Sequence, residues 1–299
     1  MRDKILDLMK GTLIGAANVV PGFSGGTMAV IMNVYERVIV AISDFFHHPR
    51  KVLKDDWALL LGIMAGVILA IKLIVFFLLN FPIPTTLFFV GLVIGSIPHI
   101  LAKANYNKAK PLDIIIFFVC VIVIIVTSFI KEGNPSVIDY DFKTVILVFF
   151  LSLVAAAMMV VPGVSGSLIL LAVGYYDFIW KDLVGTFITA VLSFDFSAII
   201  NSSLLLLPFV IGVIMGIVLI SKIIKHLLGK HPQTVYYAIL GLLVASPFAI
   251  IYGMYRQYYN EIIENSNFWG WAIGIMSITV SAYLVNYLSK FDRSKKKVD

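Results

Sequence analysis

Charge is what this chain has least of. Only 13% of its 299 residues are Asp, Glu, Lys or Arg, while 60% are hydrophobic. An ordinary soluble domain carries about 25% charged residues, so this balance excludes a water-soluble globular protein and leaves a polytopic membrane protein. Cysteine is nearly absent as well. Cys120 stands alone in an apolar run, has no partner for an internal disulfide, and reads as a small packed or lipid-facing residue. The five histidines fall in or beside the expected loops without metal-ligand spacing, so neither a metal nor a cofactor is expected. The net charge of +6 does not imply nucleic acid in so apolar a chain; it belongs to basic loops along one membrane face.

What is present is an interruption that occurs twice. Val20-Pro21-Gly22-Phe23-Ser24-Gly25-Gly26-Thr27 returns 141 positions later as Val161-Pro162-Gly163-Val164-Ser165-Gly166-Ser167. Each copy lies inside an apolar segment where a helix would otherwise run on. Proline lacks an amide hydrogen and glycine frees the backbone, so both segments should break there. Broken backbone within a membrane is tolerated only where it is buried in protein or lines a cavity, and paired breaks point to a transporter's binding site. The basic start (Arg2, Lys4, Lys10) superficially resembles a signal peptide. The same pattern recurs deep in the chain, which argues for an N-terminus kept in the mature protein.

The expected fold is an all-α membrane protein of two inverted-topology repeats, each a re-entrant helical hairpin followed by three transmembrane helices. The first repeat, 1–131, has its hairpin over about 11–46 and spans at about 57–79, 85–101 and 113–130. The second, 132–299, has its hairpin over about 144–173 and spans at about 204–228, 235–251 and 268–288. Each unbroken run approaches the ~20 residues that cross ~30 Å of hydrocarbon. The halves also match outside the motif. Tyr35 and Glu36 meet Tyr176 and Asp177 at the offset of 141, and Gly62, Gly66, Lys72, Pro82, Gly91 and Ser96 meet their counterparts at 150. The nine additional residues fall between Asp177 and Ser203, a partly apolar stretch suited to the interface.

Basic residues set the orientation. If each hairpin dips in and returns, each repeat crosses three times and the second must be inverted. The basic residues then collect on one face, with Lys131, Lys143, Lys181 and Arg256 opposite and Lys72 inside a span. Positive loops stay cytoplasmic, so both termini are expected on the cytoplasmic side of the membrane. Hairpins that crossed fully would scatter the basic loops over both faces. Glycines four apart (Gly62 with Gly66, Gly212 with Gly216) lie on one helix face and suit close packing.

A helix start exposes unpaired amide hydrogens and about half a positive charge. Two such starts meeting from opposite sides would make an anion site built mainly from backbone. The candidate cradle is Ser24, Gly25, Gly26 and Thr27 with Ser165, Gly166 and Ser167. Alternatively, the serines only satisfy the amides of a tight turn. Lys72 and Lys222 are candidates to attract a head group at each leaflet, against ordinary snorkelling to the interface. Glu36 and Asp177 are the symmetric acids available for ion coupling, against ordinary boundary charges.

The pattern Gly15-Ala16-Ala17-Asn18-Val19-Val20-Pro21-Gly22-Phe23-Ser24-Gly25-Gly26-Thr27, with Tyr35-Glu36 downstream, resembles the signature of the PopT-type undecaprenyl phosphate translocases. The second copy departs from it, with Met159 in place of Asn18 and Ser167 in place of Gly26. The resemblance implies a transporter, not an enzyme, that returns the polyprenyl phosphate carrier from the outer to the cytoplasmic leaflet for cell-envelope synthesis. Its partners would be that lipid and the surrounding membrane lipids, with no nucleic acid; assembly as a homo-oligomer is left open. Two other readings share the chemistry: a small-anion transporter, and a membrane polyprenyl pyrophosphate phosphatase using Ser24. A nucleophilic serine needs a neighbouring base, and no histidine lies near either motif.

Overall fold

The computed structural model of the chain describes residues 2–18, 24–105, 109–129, 142–164, 166, 170, 173, 175, 178–264 and 266–293 (backbone alone at 2, 3, 70–72, 74, 75, 180–182, 257 and 288–293). The described residues are helical apart from turns, with no strand among them. The first half contains α1 (Arg2–Ala17), α2 (Gly25–Ile31), α3 (Tyr35–Asp44), α4 (Pro49–Asn80), α5 (Pro82–Lys103) and α6 (Pro111–Ser128). The second half opens with α7 (Phe142–Val160) and a π-helical segment, Phe178–Gly185, that runs into α8 (Thr186–Leu192). It continues with α9 (Phe196–Lys230), α10 (Pro232–Gln257), α11 (Tyr259–Glu264) and α12 (Phe268–Arg293). Six of the described helices, α5, α6, α7, α9, α10 and α12, are long and apolar enough to cross a membrane.

Helices overrun the expected spans wherever a start signal precedes the apolar run. The run at 57–79 lies within the 32 residues of α4, which starts at Pro49. The run at 204–228 lies within the 35 residues of α9, whose N-cap Asp195 accepts from the Ala198 amide at 3.0 Å. Likewise α1 begins at Arg2, not near Gly11. A second difference lies between α2 and α3. The segment 11–46, expected to break once, breaks again at Asn33, whose φ of 55° is left-handed. The Asn33 and Val34 amides donate to the Val30 and Ala29 carbonyls at 3.0 and 2.9 Å, a Schellman end to α2. The second half repeats this bond at the same offset, Tyr175 donating to Leu170 at 2.9 Å.

Glycine lets helices approach until backbone touches backbone. A Cβ on Gly66 would run into the Thr12 carbonyl, and one on Gly216 into the Leu153 carbonyl. The second pair lies 150 and 141 positions beyond the first. In the same way Gly91 of α5 faces the Ile278 carbonyl and Ser281 of α12, and Gly241 of α10 faces the Phe117 carbonyl and Cys120 of α6. Lipid offers no hydrophobic force between apolar helices, so small residues that maximise close packing choose the partners. The turns repeat as well. Phe81 and His231 cap their helices at nearly identical angles, φ/ψ −138°/56° and −134°/56°, each before a proline.

These contacts also give directions. Along α1 and α4, Lys4 meets Asp55, Leu8 meets Gly62 and Thr12 meets Gly66, so the two helices run parallel. Between them α3 has already returned, because Arg37 binds Asp7 of α1 and Asp56 of α4. Helices α5 and α12 run parallel, as do α6 and α10, where Asp113 meets Thr234 and Phe129 meets Tyr252. Helices α5 and α10 pack on each other with opposite direction, the end of α5 at Lys103 lying over Tyr236 near the start of α10. They are the most buried of the crossing helices, and the core gathers around them and α2.

Candidate functional site

The first tip is organised by Ser24. Its backbone is extended (φ −117°, ψ 151°), and its hydroxyl N-caps α2 by accepting from the Thr27 amide at 3.1 Å. Ser24 Oγ also lies 2.9 Å from Thr27 Oγ1. One turn before the break, Asn18 turns back: its Oδ1 accepts from the Gly25 amide at 2.9 Å while its Nδ2 donates to the Ile14 carbonyl at 3.2 Å. Helix α2 thus begins at Gly25, where the motif placed it. Ser24 and Thr27 are almost wholly buried, and an unpaired polar group in such a place would cost about 1–3 kcal/mol.

The second tip meets the first. The Gly163 amide donates to Thr27 Oγ1 at 2.7 Å, bridging residues 136 apart. A Cβ on Gly26 would sit 2.5 Å from the Val160 carbonyl oxygen and 3.3 Å from the Pro162 nitrogen. At Gly163 φ is +80°, a conformation that follows Pro162 and that only glycine takes without strain. The same residue abuts Leu242 and Ser246 near the middle of α10. The tips therefore touch at mid-length of a membrane-crossing helix, not at its ends.

Of the residues singled out from sequence, Ser24, Gly25, Gly26, Thr27 and Gly166 lie in this region, Gly166 against the Ala155 carbonyl. Ser165, Ser167 and Asp177 lie outside the described residues, as does the Lys72 side chain. Lys222 is exposed on α9, one turn before Lys225 and in the last third of that helix. Glu36 sits where α3, α5 and α10 converge, accepting from Lys103 Nζ at 3.2 Å and from the Tyr236 hydroxyl. Among the described residues no cluster of His, Cys, Asp and Glu could hold a metal ion.

Sequence reasoning missed the polar ties around α3. Arg37 binds Asp7 through two bonds of 2.8 and 2.9 Å and reaches Asp56 at 2.5 Å. Hydrogen bonding to Asp7 and then Asp56 holds the guanidinium firmly protonated. Asp44 pairs with Lys225 of α9 at 2.6 and 2.8 Å. The ammonium's hydrogen bond, aided by its charge, keeps the Asp44 carboxyl below the usual carboxylate range. Only the crowding of charge at the ends of the apolar runs hinted at these ties. A surface depression of about 420 Å³, lined by Thr186, Thr189, Ser193 and Asp195, belongs instead to the inserted stretch near α8.

Comparison with known proteins names the relatives. A polyprenyl-phosphate transporter of Staphylococcus aureus is 29% identical over 259 residues, covering 84% of this chain and 87% of its own length. One from Vibrio cholerae is 28% identical over 253 residues, covering 80% and 74%. No solved structure matches the chain. A family model described as VCA0040-like, undecaprenyl phosphate translocase-like, matches residues 14–267. With the model running from the last turn of α1 to the residue before α12, and so across both tips, the chain belongs to that translocase-like family.

Proposed function

We propose that this chain carries undecaprenyl phosphate, or a closely similar polyprenyl phosphate, across the bacterial cell membrane, returning the carrier from the outer to the cytoplasmic leaflet for envelope synthesis. Family membership and the names of both relatives support the substrate. The observation that carries the mechanism is the Thr27–Gly163 contact between the two tips at mid-length of α10.

The physical problem is a charged head in hydrocarbon, which costs several kcal/mol or more even with local adjustment. In this reading the isoprenoid tail stays in lipid while the head passes between the tips. At rest the amides of Gly25, Thr27 and Gly163 are satisfied by Asn18, Ser24 and Thr27 oxygens. A phosphate between the tips would replace those oxygens as acceptor, and the Ser24 and Thr27 hydroxyls would rotate to donate. Ser165, Gly166 and Ser167 complete the cradle from the other side. Lys72 and Lys222 draw the head toward it at the two leaflets, and Glu36 and Asp177 are the acids through which an ion could be coupled.

The architecture proposed for this cycle has two inverted repeats, 1–131 and 132–299, each with a re-entrant hairpin, and both termini in the cytoplasm. Several contacts support it. Helix α4 runs parallel to α1, so the chain between them returns to the side it left, as a hairpin does. Following the helix pairings from α1 through α12 makes α1 and α7 run in opposite senses. The Ser24 hydroxyl is engaged by the Thr27 amide and hydroxyl, an arrangement that suits a helix cap more than an activated nucleophile.

The test is cellular. In bacteria lacking other recyclers, loss of this protein should expose undecaprenyl phosphate on the outer surface, and Ser24→Asp should reproduce the loss while still inserting. Normal recycling by Ser24→Asp would remove the proposed cradle.

A further inference from the structure

Below the tips, the arm that carries Thr27 lines a second polar place. Val30, Asn33 and Glu36 from this arm, with Lys103 of α5 and Tyr236 of α10, border a crevice with room for about one water. Two donors converge there on a single anionic oxygen, Glu36 Oε1: the Lys103 ammonium at 3.2 Å and the Tyr236 hydroxyl. The ammonium also lies 5.3 Å from the Tyr236 ring centre, which holds it in place by cation–π attraction.

We propose that this crevice is a second anion station, one that binds the phosphomonoester head after it leaves the tips, with the Glu36 carboxylate occupying the station between passages. The proposal rests on the transport reading above and extends it to a new site. Three considerations carry it. Val30, three residues beyond Thr27 on α2, lines the crevice itself, so a head sliding from the tips reaches this place next. A carboxylate and a phosphate compete for the same donors, and the phosphate carries up to twice the charge. The carboxylate is also easily displaced. Glu36 is 53% exposed and Lys103 37%, and ion pairs that open to solvent contribute only about 0–1 kcal/mol.

Equilibrium binding of farnesyl phosphate to the full chain in nanodiscs tests this, with farnesol and inorganic phosphate titrated separately. Glu36→Gln removes the competing charge and should tighten farnesyl phosphate binding roughly tenfold. Glu36→Ala should do the same, which guards against an effect of the glutamine itself. Adding Lys103→Met to Glu36→Gln should erase the gain, and Tyr236→Phe should reduce it. Asp55→Asn, which removes a negative charge from the same end without touching Lys103, should leave affinity within twofold. A parallel gain for inorganic phosphate would show that the head alone is read. A gain that survives Lys103→Met, or one matched by Asp55→Asn, overturns the station while leaving the transport reading intact. Farnesyl phosphate binding no tighter than farnesol in every variant overturns both.

Discussion

The two tips begin from nearly the same residues and solve the same problem differently. In the first, Asn18 and Ser24 satisfy the amides of Gly25 and Thr27 from within the same repeat. The second has Met159, without a side-chain oxygen, where the first has Asn18, and Gly166 rests against the Ala155 carbonyl. Its Gly163 amide is satisfied by Thr27 of the other repeat. The residue matching Thr27 is Leu168, whose side chain has no hydroxyl with which to return the bond. Among the described residues, the first tip's acceptors come from its own repeat, and the Gly163 amide of the second borrows one from across. In the proposed cycle an anion arriving between them would loosen the borrowed bond first, since that bond crosses the gap.

The sharpest way to break this asymmetry is to add a single carbon. Gly26→Ala places a methyl 2.5 Å from the Val160 carbonyl and must push the tips apart. Carrier recycling should fall at least tenfold, with the protein still inserted. Gly166→Ala meets a carbonyl of its own repeat, so the expected defect is in thermal stability, with transport falling in proportion to folded protein. Gly253→Ala, with nothing near its added carbon, serves as the neutral control. Equal transport by Gly26→Ala and Gly253→Ala would end the idea that the tips must close on each other.

Next in size are the hydrogen bonds themselves. Asn18→Met makes the first tip resemble the second and strands the Gly25 amide, which should cost about 1–3 kcal/mol in unfolding from detergent. Thr27→Val deprives Gly163 of its acceptor at a similar cost, whereas Thr27→Ser keeps the oxygen and should lose less than half as much. Amide exchange at Gly163 separates the two cases. It should accelerate in Thr27→Val and stay near wild type in Asn18→Met, because only the first of these breaks the borrowed bond.

Much of this was legible in the residues. The break sites follow from Pro162 and the paired glycines, and the packing of α1 on α4 and of α7 on α9 follows from Gly62, Gly66, Gly212 and Gly216. Asn33 was harder to see, because a lone asparagine in an apolar run looks like a tolerated polar residue. Only the left-handed turn reveals it as a helix end, and Gly174 at the matching place was the available clue. The role of Thr27 was hidden for another reason. Its hydrogen bond reaches across 136 residues, and no local pattern encodes which of two contacting loops supplies the acceptor. Arg37 looked like one more cytoplasmic charge until Asp7 and Asp56 were seen on either side of it.

The smallest expected effect concerns another link between the halves, from Asp44 to Lys225, and contrasts with the buried one at the tips. Both partners are partly open to solvent, 31% and 40% exposed, so the link should contribute at most about 1 kcal/mol. Its sign with pH is fixed by the hydrogen bond from Lys225, which holds the Asp44 carboxyl below its ordinary value in the folded state. A depressed carboxyl stabilises the fold at every pH above the unfolded value, near 4, and loses that contribution as pH falls through the folded value. Asp44→Asn lacks the contribution throughout. The stability gap between wild type and Asp44→Asn should therefore close below about pH 4 and shrink in high salt. The gap opened by Thr27→Val should ignore both pH and salt, because a buried hydroxyl and an amide carry no charge to titrate or screen.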